Sequence, residues 1–397
     1  MLLSFAIKNY TSILDLDVDF RFSEGKAPNG YKDSDHLIFL ESGKQRAVPC
    51  LSFFGANASG KSNILKALSV FQRIAATNIT KCYRPNKLNE KYDYTQFTLK
   101  FVANNKVYEY SIEYDAKEIR CEYLIKNEKE LYRISTNKQE FSVAKEENLT
   151  NIFHEACFDT YERQKFFRNT LLSRMKLISP NLDDDILRVF DYIDNLQIFP
   201  TNSFPHSYSI GLLAGEFGNL EPAFLEISSL LRKLDINILR MSLEFTPNNT
   251  NWLNSVDTYR KNIDGKETKF HISEESSGTQ LLLGILGVIL YVLKKGQILV
   301  IDELDRSLHP LLLKVIVRMF KSKAYNQHNA QLIFSAHDTS VLEDELLRIS
   351  EVAFVQNTLT EGSTASRLCD FEEVSNYDNF RKMYMNYQFG AVPFSYI

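Results

Sequence analysis

The sequence predicts an α/β fold built on an open parallel sheet, and three observations lead to that prediction. An apolar run at 50–54 enters a glycine-rich loop, and apolar residues at helical spacing follow the loop. A second aliphatic run at 298–301 ends in two acids, and a third buried run ends in His337. Short alternating strands between these runs are typical of an antiparallel meander. Buried strands interspersed with helices favour the α/β class.

Composition places the chain among globular proteins and disfavours several other classes. The 397 residues are 44% hydrophobic, which can fill two or three domains, or one large domain with insertions. A net charge of −4 gives no bulk attraction to nucleic acid, although it does not exclude a local basic groove. Five separated cysteines without CxxC spacing indicate reduced thiols rather than disulfides or zinc ligands. We expect no signal peptide, and the apolar stretch 281–293 is too short for a membrane span, so it is interpreted as a buried helix.

The first part of the chain predicts two strands, each with one buried face. Leu3, Phe5 and Ile7 alternate with other residues, and apolar residues alternate with charged ones over 14–22. Residues 23–45 contain glycines, a proline and many charges, so we expect a surface loop there.

The glycine-rich loop at 55–62 reads GANASGKS, which matches the phosphate-loop pattern GxxxxGK[ST] in full. Its glycines let backbone N–H groups surround an anion, Lys61 can reach the β- and γ-phosphates, and the Ser62 hydroxyl can ligate Mg²⁺. Apolar residues recur at helical spacing over 64–71, so the phosphates would meet a helix N-terminus. The alternative is a plain Gly/Ser/Asn-rich turn, and the position between a strand and a helix disfavours it.

The region after this helix predicts a meander and then helices. Alternating strands are expected near 97–101, 107–112 and 119–125, with turns at Asn104-Asn105 and around Asn127. Residues 146–235 are interpreted as mostly helical, and strand-like sequence returns at 236–245.

A basic segment at 161–176 contains five basic residues and the single acid Glu162, with apolar residues between them. A nucleic-acid or partner surface fits this pattern. The solvated basic face of an amphipathic helix, which is the more common case, fits it as well.

Two carboxylates, Asp302 and Glu303, end the second aliphatic run. A hydrolytic phosphate-loop site needs one acid to hold the Mg²⁺ shell and another to orient and deprotonate water, so we expect Asp302 and Glu303 to have these roles in that order. Acids often end buried strands, and the pattern becomes informative because the phosphate loop accompanies it. His337 would face the same edge of the sheet, where ligands bind; a structural histidine is the alternative.

A third motif, ESSGTQ at 275–280, directly precedes the apolar helix. Small residues, a glycine and a helix N-terminus can form a second anion site. Because the chain already has a phosphate loop, we infer that this site would serve the nucleotide of another subunit. An ordinary serine N-cap is an equal alternative.

Together these motifs resemble those of ATP-binding-cassette (ABC) ATPases of the SMC and RecF type, and within them the bacterial AAA_15 (OLD-like, RloA-like) ATPases. The resemblance covers nearly the whole chain and also rests on Lys8-Asn9-Tyr10, on 302–310 and on 389–394. It implies that Ser276 and Gly278 read the γ-phosphate of a facing subunit and that His337 is the switch histidine. His309 stands where transporter ATPases have an aspartate, and Gln96 is the candidate Q-loop residue.

The expected site can be stated residue by residue. The cofactors are ATP and Mg²⁺, Glu303 and His337 are catalytic, and Ser62 and Asp302 bind the metal. The nucleotide-binding residues are Asn57, Gly60, Lys61, Ser62, Asn63, Ser276 and Gly278.

The resemblance implies an ABC-type P-loop ATPase head with an antiparallel β subdomain and an inserted helical lobe. We expect the ATPase core at 1–95 and 265–397, the β subdomain at 96–145 and the mainly helical lobe at 146–264. OLD-type proteins continue into a TOPRIM nuclease, for which about 60 residues after His337 leave no room, so any effector is expected to be a separate protein. The sequence between the phosphate loop and the motif at 275–280 has no sustained heptad pattern, which argues against an SMC-type coiled coil.

The leading functional hypothesis is a cytoplasmic ATPase that acts as sensor or scaffold in a bacterial anti-phage or abortive-infection system and controls a separately encoded toxin or nuclease. It would form a homodimer or higher homo-oligomer through shared ATP sites. We expect no association with a membrane, and the sequence leaves open whether nucleic acid is a partner. The alternative is a RecF/SMC-like DNA-repair ATPase that clamps duplex DNA. A transporter subunit is disfavoured by the motif at 275–280 and by His309.

Overall fold

A large mixed sheet organises the protein, whose structure is a computed structural model. The structure describes residues 1–23, 46–135, 140–143, 168–178, 184–200, 212–213, 220–233, 236–243, 256–306, 308–343, 346–372, 374–375 and 378–391. Most of the loop predicted at 23–45, the first part of the basic segment 161–176 and residues 392–394 lie outside these ranges.

The described strands and helices are numbered in chain order. The strands are β1 (Leu2–Tyr10), β2 (Ile13–Asp19), β3 (Cys50–Phe54), β4 (Thr95–Ala103), β5 (Lys106–Tyr114), β6 (Ile119–Lys126), β7 (Lys129–Ser135), β8 (Glu140–Val143), β9 (Gln197–Phe199), β10 (Arg240–Leu243), β11 (Val256–Lys261), β12 (Glu267–His271), β13 (Ile298–Ile301), β14 (Gln331–Ser335), β15 (Val352–Thr358) and β16 (Gly362–Arg367). The helices are α1 (Lys61–Ala76), α2 (Leu171–Ile178), α3 (Asp184–Asp194), α4 (Glu221–Lys233), α5 (Ser277–Lys295), α6 (Pro310–Lys321) and α7 (Phe380–Met385).

Within the described ranges the large sheet has the order β8-β7-β6-β5-β4-β1-β2-β16-β15-β3-β14-β13-β9, and β10-β11-β12 form a separate small sheet. Strand β3 pairs in parallel with β14 and β15, and β13 pairs in parallel with β14 and β9. The carboxyl ends of β3, β13 and β14 therefore share one edge, as the sequence predicted for an open parallel sheet. The mixed α/β fold is confirmed.

The meander predicted after the first helix is present as strands β4 to β7. Its turns follow from local chemistry. Asn104 and Asn105 have φ values of 46° and 61°, and Asn127 and Glu128 have 45° and 66°. Two successive residues with positive φ form the turn that matches the twist of a two-residue hairpin, and asparagine tolerates that conformation well.

Strand pairings cross the domain boundaries that the sequence predicted. Strand β4 pairs with β1, so the meander continues the same sheet rather than standing apart from it. The region 146–264 contains helices α2, α3 and α4, but it also contributes β9 to the parallel strands. A three-residue strand is too short to show a period of two, which explains why the sequence did not reveal it. The domain boundaries themselves remain a prediction.

Hydrophobic residues pack on both faces of the parallel strands. Leu51 and Phe53 belong to one cluster with α1, α2 and α3, whereas Cys50 and Phe54 belong to a second cluster with α4, α5 and α6. This alternation is the period of two expected for strands that are buried on both sides. Helix α5 is largely buried in the second cluster, as predicted. Among the described helices it alone has the length and hydropathy of a membrane span, a test that buried core helices also pass.

A buried ion pair joins α6 to the strands beneath it. The side chains of Lys321 and Glu351 are only 2% and 1% exposed, and they form a close salt bridge. The backbone carbonyl of Glu351 also accepts a hydrogen bond of 2.8 Å from the Ser52 hydroxyl of β3. The pair therefore fixes the end of α6, the middle of β3 and the start of β15 together.

We predict that Lys321→Met lowers the free energy of unfolding by about 3 kcal/mol, because it leaves a buried carboxylate without its countercharge. The matched control is Arg318→Met, which removes an exposed basic residue of the same helix and should change stability by less than about 0.5 kcal/mol. Denaturant unfolding of both variants measures the difference. Equal stability of the two variants would contradict this account of the pair.

Candidate functional site

The glycine-rich loop between β3 and α1 adopts a conformation that its two glycines make accessible. Gly55 has φ 153° and Gly60 has φ 109°, both in the region that side chains rarely adopt. A Cβ atom at Gly55 would lie 2.2 Å from the Val355 carbonyl oxygen, and one at Gly60 would lie 2.1 Å from Ser363 Oγ. Helix α1 begins directly at Lys61, so its first backbone N–H groups point into the loop.

The Lys61 side chain lies inside this loop. Its Nζ donates hydrogen bonds to the carbonyl oxygens of Gly55 and Ala56, at 2.7 and 3.0 Å, and the residue is buried. Burial lowers the pKa of Lys61, while the negative charges of Asp302, Asp305 and Glu303 raise it. The structure thus brings the lysine within electrostatic reach of the acids that follow β13.

A buried serine connects the two acids of the second motif. Asp302 directly follows β13, and its Oδ1 accepts a hydrogen bond of 2.6 Å from the hydroxyl of Ser335, the last residue of β14. The same Ser335 oxygen accepts a hydrogen bond of 2.7 Å from the backbone N–H of Glu303. Glu303 has φ 52°, an uncommon conformation for a non-glycine residue that often accompanies a functional constraint. Sequence reasoning missed Ser335.

Asp305 links the acids to His337. Its Oδ2 accepts hydrogen bonds from the backbone N–H groups of His337 and Asp338, at 2.8 and 2.7 Å. His337 Nε2 then lies 3.9 Å from Glu303 Oε1, and the histidine side chain is 44% exposed. The other oxygen of Asp305, Oδ1, is buried and has no hydrogen-bond partner among the described residues. The predicted catalytic pair, Glu303 and His337, is therefore adjacent.

The motif at 275–280 lies at the N-terminus of α5. Ser276 is the N-cap residue, and its Oγ accepts a hydrogen bond of 3.2 Å from the Thr279 N–H. Glu275 is buried, and Thr258 Oγ1 and Arg260 Nε donate to its carboxylate at 2.6 and 3.1 Å. Among the described residues no hydrogen bond joins 276–280 to 55–62. Ser276 is exposed, so the arrangement fits both a plain helix cap and a motif that faces another molecule.

Two further residues singled out in the sequence have local partners. His309 is the N-cap of α6, and its Nδ1 accepts a hydrogen bond of 3.3 Å from the Leu311 N–H. Gln96 lies in β4, where its amide donates a hydrogen bond of 3.2 Å to Ser111 Oγ. Neither contact involves the phosphate loop.

A cavity of about 810 Å³ opens beside the loop and extends to Asn63, the second residue after Lys61. Its wall comes from three separate parts of the chain: the β1–β2 turn at 11–14, the segment 83–89 and the β15–β16 turn at 357–362. Its volume lies in the range of small-molecule sites. Sequence reasoning missed this cavity, because no contiguous motif includes its wall.

A chain of side-chain hydrogen bonds connects the cavity to the loop. Asn63 Nδ2 donates to Ser12 Oγ at 2.7 Å, and the Ser12 and Ser363 hydroxyl oxygens lie 2.6 Å apart. The buried Ser363 hydroxyl donates in turn to the Ser59 carbonyl at 2.9 Å. The β1–β2 turn, strand β16 and the phosphate loop therefore form one hydrogen-bonded unit.

The last described residues also contact the loop. The Ala56 N–H donates a hydrogen bond of 2.9 Å to the Ala391 carbonyl. Phe389 stacks on Phe354 of β15 with ring centroids 4.7 Å apart. This segment was noticed in the sequence only through its resemblance to other ATPases, and the structure gives it a physical role in supporting the loop.

The arrangement suits an anionic, phosphate-bearing ligand. A helix N-terminus, a buried ammonium and backbone N–H groups attract phosphate oxygens. The Ser62 hydroxyl and the Asp302 carboxylate are oxygen donors of the kind that Mg²⁺ prefers. The described residues contain no cluster of three or more His, Cys, Asp or Glu side chains that could hold a metal. Ser62 and Asp302 fit Mg²⁺ that is bound together with substrate phosphates.

Comparison with known proteins decides the family. The model AAA_21, described as "AAA domain, putative AbiEii toxin, Type IV TA system", matches residues 50–343. The match spans well over half of the 397 residues. The chain belongs to the AAA_21 family.

Solved structures similar to this AAA_21 protein include two SMC heads. The SMC head domain from Thermotoga maritima is 14% identical, with 92% of this chain and 98% of that chain covered and a TM-score of 0.44. An Smc head domain bound to the C-terminal domain of ScpA, derived from Pyrococcus furiosus, is 13% identical, with 92% and 96% covered and a TM-score of 0.44. Likeness at this level supports no further conclusion. A search of curated proteins found no match.

AAA_21 membership confirms the ATPase class that the sequence predicted. The AAA_15 assignment is finer than this match and stays a prediction, as do the individual roles of the site residues. The structure brings Lys61, Asp302, Glu303 and His337 to one edge of the AAA_21 sheet. It does not join Ser276 and Gly278 to the phosphate loop of the same chain.

Proposed function

We propose that this AAA_21 protein binds ATP with Mg²⁺ and hydrolyses it to ADP and phosphate. The observation that supports the proposal best is the convergence of a buried Lys61, an Asp302 held by Ser335, and Glu303 beside His337. Phosphoryl transfer requires positioning and charge neutralisation more than covalent chemistry, and these groups supply both.

Each residue has a task in this proposal. Lys61 leaves its two carbonyl partners to neutralise the β- and γ-phosphates, and the backbone N–H groups at the start of α1 bind the remaining oxygens. When bound, Mg²⁺ neutralises charge that develops on the transferred phosphoryl group, and Ser62 and Asp302 would hold it. Glu303 accepts a proton from the attacking water. The nucleoside end of ATP occupies the cavity beside Asn63.

We further propose that ATP joins two copies of the chain. Ser276 and Gly278 would contact the γ-phosphate bound to a second copy, and His337 would sense it from the loop side. The outward position of Ser276 supports this arrangement, as does the firm attachment of Glu275 to β11 through Thr258 and Arg260. A helix N-terminus that is held rigidly is well suited to binding a phosphate that is bound to another copy of the chain.

The biological role that we propose is control of a separately encoded toxin or nuclease in an anti-phage or abortive-infection system. The family description, with its AbiEii toxin and type IV toxin–antitoxin system, supports this role. A gene for such an effector beside this one, and ATP-dependent co-purification of its product, would test it. Salt-sensitive duplex DNA binding that requires ATP would favour the DNA-repair alternative instead.

We predict that Glu303→Gln retains ATP affinity but slows hydrolysis by about 10²-fold to 10⁴-fold, because the amide keeps the shape and cannot accept a proton. Calorimetry measures binding, and phosphate release measures turnover. Glu372→Gln, at an exposed position outside the site, is the control and should behave like the wild type. Near-normal turnover in Glu303→Gln would show that another group is the base.

We predict that Gly278→Leu binds ATP normally as an isolated chain but loses ATP-dependent dimerisation and turnover. Lys61→Ala should already lose ATP binding, because the positive charge that faces the phosphates is gone. A mixture of the two variants should recover part of the turnover, since one site of each mixed dimer combines an intact loop with an intact 275–280 motif.

The matched control mixes Gly278→Leu with a chain that contains both substitutions, a combination in which no intact site can form. Turnover should then stay absent. A Gly278→Leu protein that hydrolyses ATP normally as a monomer would contradict the shared site and leave 275–280 as a plain helix cap.

A further inference from the structure

Asn9 lies near the end of β1 and contacts the segment that forms one wall of the cavity. It is fully buried and has φ 53°, a left-handed conformation that asparagine tolerates better than most residues. Thr95 Oγ1 donates a hydrogen bond of 2.8 Å to its backbone carbonyl, which holds the residue against the start of β4.

The Asn9 carboxamide uses its full hydrogen-bonding capacity on a single segment. Its Nδ2 donates to the carbonyl oxygens of Tyr92 and Tyr94, at 3.1 and 2.7 Å. Its Oδ1 accepts from the Asn86 backbone N–H and from Asn89 Nδ2, both at 2.9 Å. Two donors and two acceptors in this geometry are available from Asn or Gln only, and Gln is one methylene longer.

The segment held in this way has little regular structure of its own. No helix or strand lies between the end of α1 at Ala76 and the start of β4 at Thr95. Residues 83–89 of this segment nevertheless form one wall of the cavity. The Thr11 N–H donates a hydrogen bond of 2.8 Å to the Arg84 carbonyl, which gives the wall a second attachment near Asn9.

We propose that Asn9 is a positioning residue that sets the shape of the nucleoside end of the site. This inference rests on the proposed function, because it takes the cavity to hold the nucleoside of ATP. Asn9 has no hydrogen bond to the phosphate loop at 55–62 among the described residues. It therefore acts on the nucleoside through the wall and leaves the phosphate contacts unchanged.

The test compares two ligands that share the phosphate part. ATP and inorganic tripolyphosphate are titrated by calorimetry, each with Mg²⁺, into wild type, Asn9→Asp and Asn89→Ala. Asn9→Asp keeps the size of the side chain but replaces both N–H donors by acceptors. Asn89→Ala removes one of the four bonds of Asn9 from the partly exposed wall, together with the bonds that join Asn89 to Lys91 and Tyr92. It serves as the second variant if the Asn9 variant does not fold.

We expect Asn9→Asp to weaken ATP binding by about tenfold, the scale of one buried polar group left unpaired, while tripolyphosphate affinity stays within about twofold. Asn89→Ala should lower the ATP affinity in the same direction. Thr95→Val is the matched control, because it removes the bond to the Asn9 backbone carbonyl and leaves the carboxamide contacts in place. It should keep the wild-type ratio of the two affinities.

Three outcomes would overturn parts of this account, and they differ from one another. Wild-type affinity for both ATP and tripolyphosphate in both Asn9→Asp and Asn89→Ala refutes the positioning role. Equal loss of both ligands also refutes it, since that result indicates damage to the phosphate loop. A wild-type protein that binds neither ligand refutes the proposed function itself, whatever the variants do.

Discussion

A buried lysine at the carboxyl edge of the parallel strands is the interaction on which the rest of the site depends. Transfer of an ammonium group out of water is costly, and burial lowers the pKa of Lys61 accordingly. Two loop carbonyls and the nearby acids oppose that effect. The loop must therefore keep its carbonyls turned inward, and Asp302 must remain at the end of β13. The glycines of the loop and the hydroxyl of Ser335 satisfy these two requirements.

Close packing behind the loop explains why residues distant in sequence matter to it. The β15–β16 hairpin approaches both loop glycines so closely that a side chain at either position would collide with it. The same hairpin bonds to Ser12 and to the Ser59 carbonyl, and its turn forms part of the cavity wall. The β15–β16 hairpin therefore contacts the phosphate loop and also forms part of the cavity wall. A movement of the hairpin would alter both ends of a bound nucleotide together.

The sequence predicted what is encoded by neighbouring residues and missed what depends on distant ones. The loop at 55–62, the acids at Asp302 and Glu303 and the meander with its asparagine turns follow from local patterns, and each lies where that pattern placed it. Ser335 could not be predicted, because a serine at the end of a buried strand has no distinguishing pattern. The cavity, the contacts of Asn9 and the pairing of β4 with β1 depend on tertiary packing that spacing alone does not specify.

The most direct measurement of the central claim is an experimental structure of Glu303→Gln bound to Mg²⁺ and ATP. The account predicts the triphosphate against 55–62 with Lys61 turned toward it, and the nucleoside in the cavity between Ser12 and Asn86. It also predicts that the γ-phosphate contacts Ser276 of the partner subunit. A nucleotide bound elsewhere, with Lys61 still bonded to the carbonyls of Gly55 and Ala56, would contradict the account.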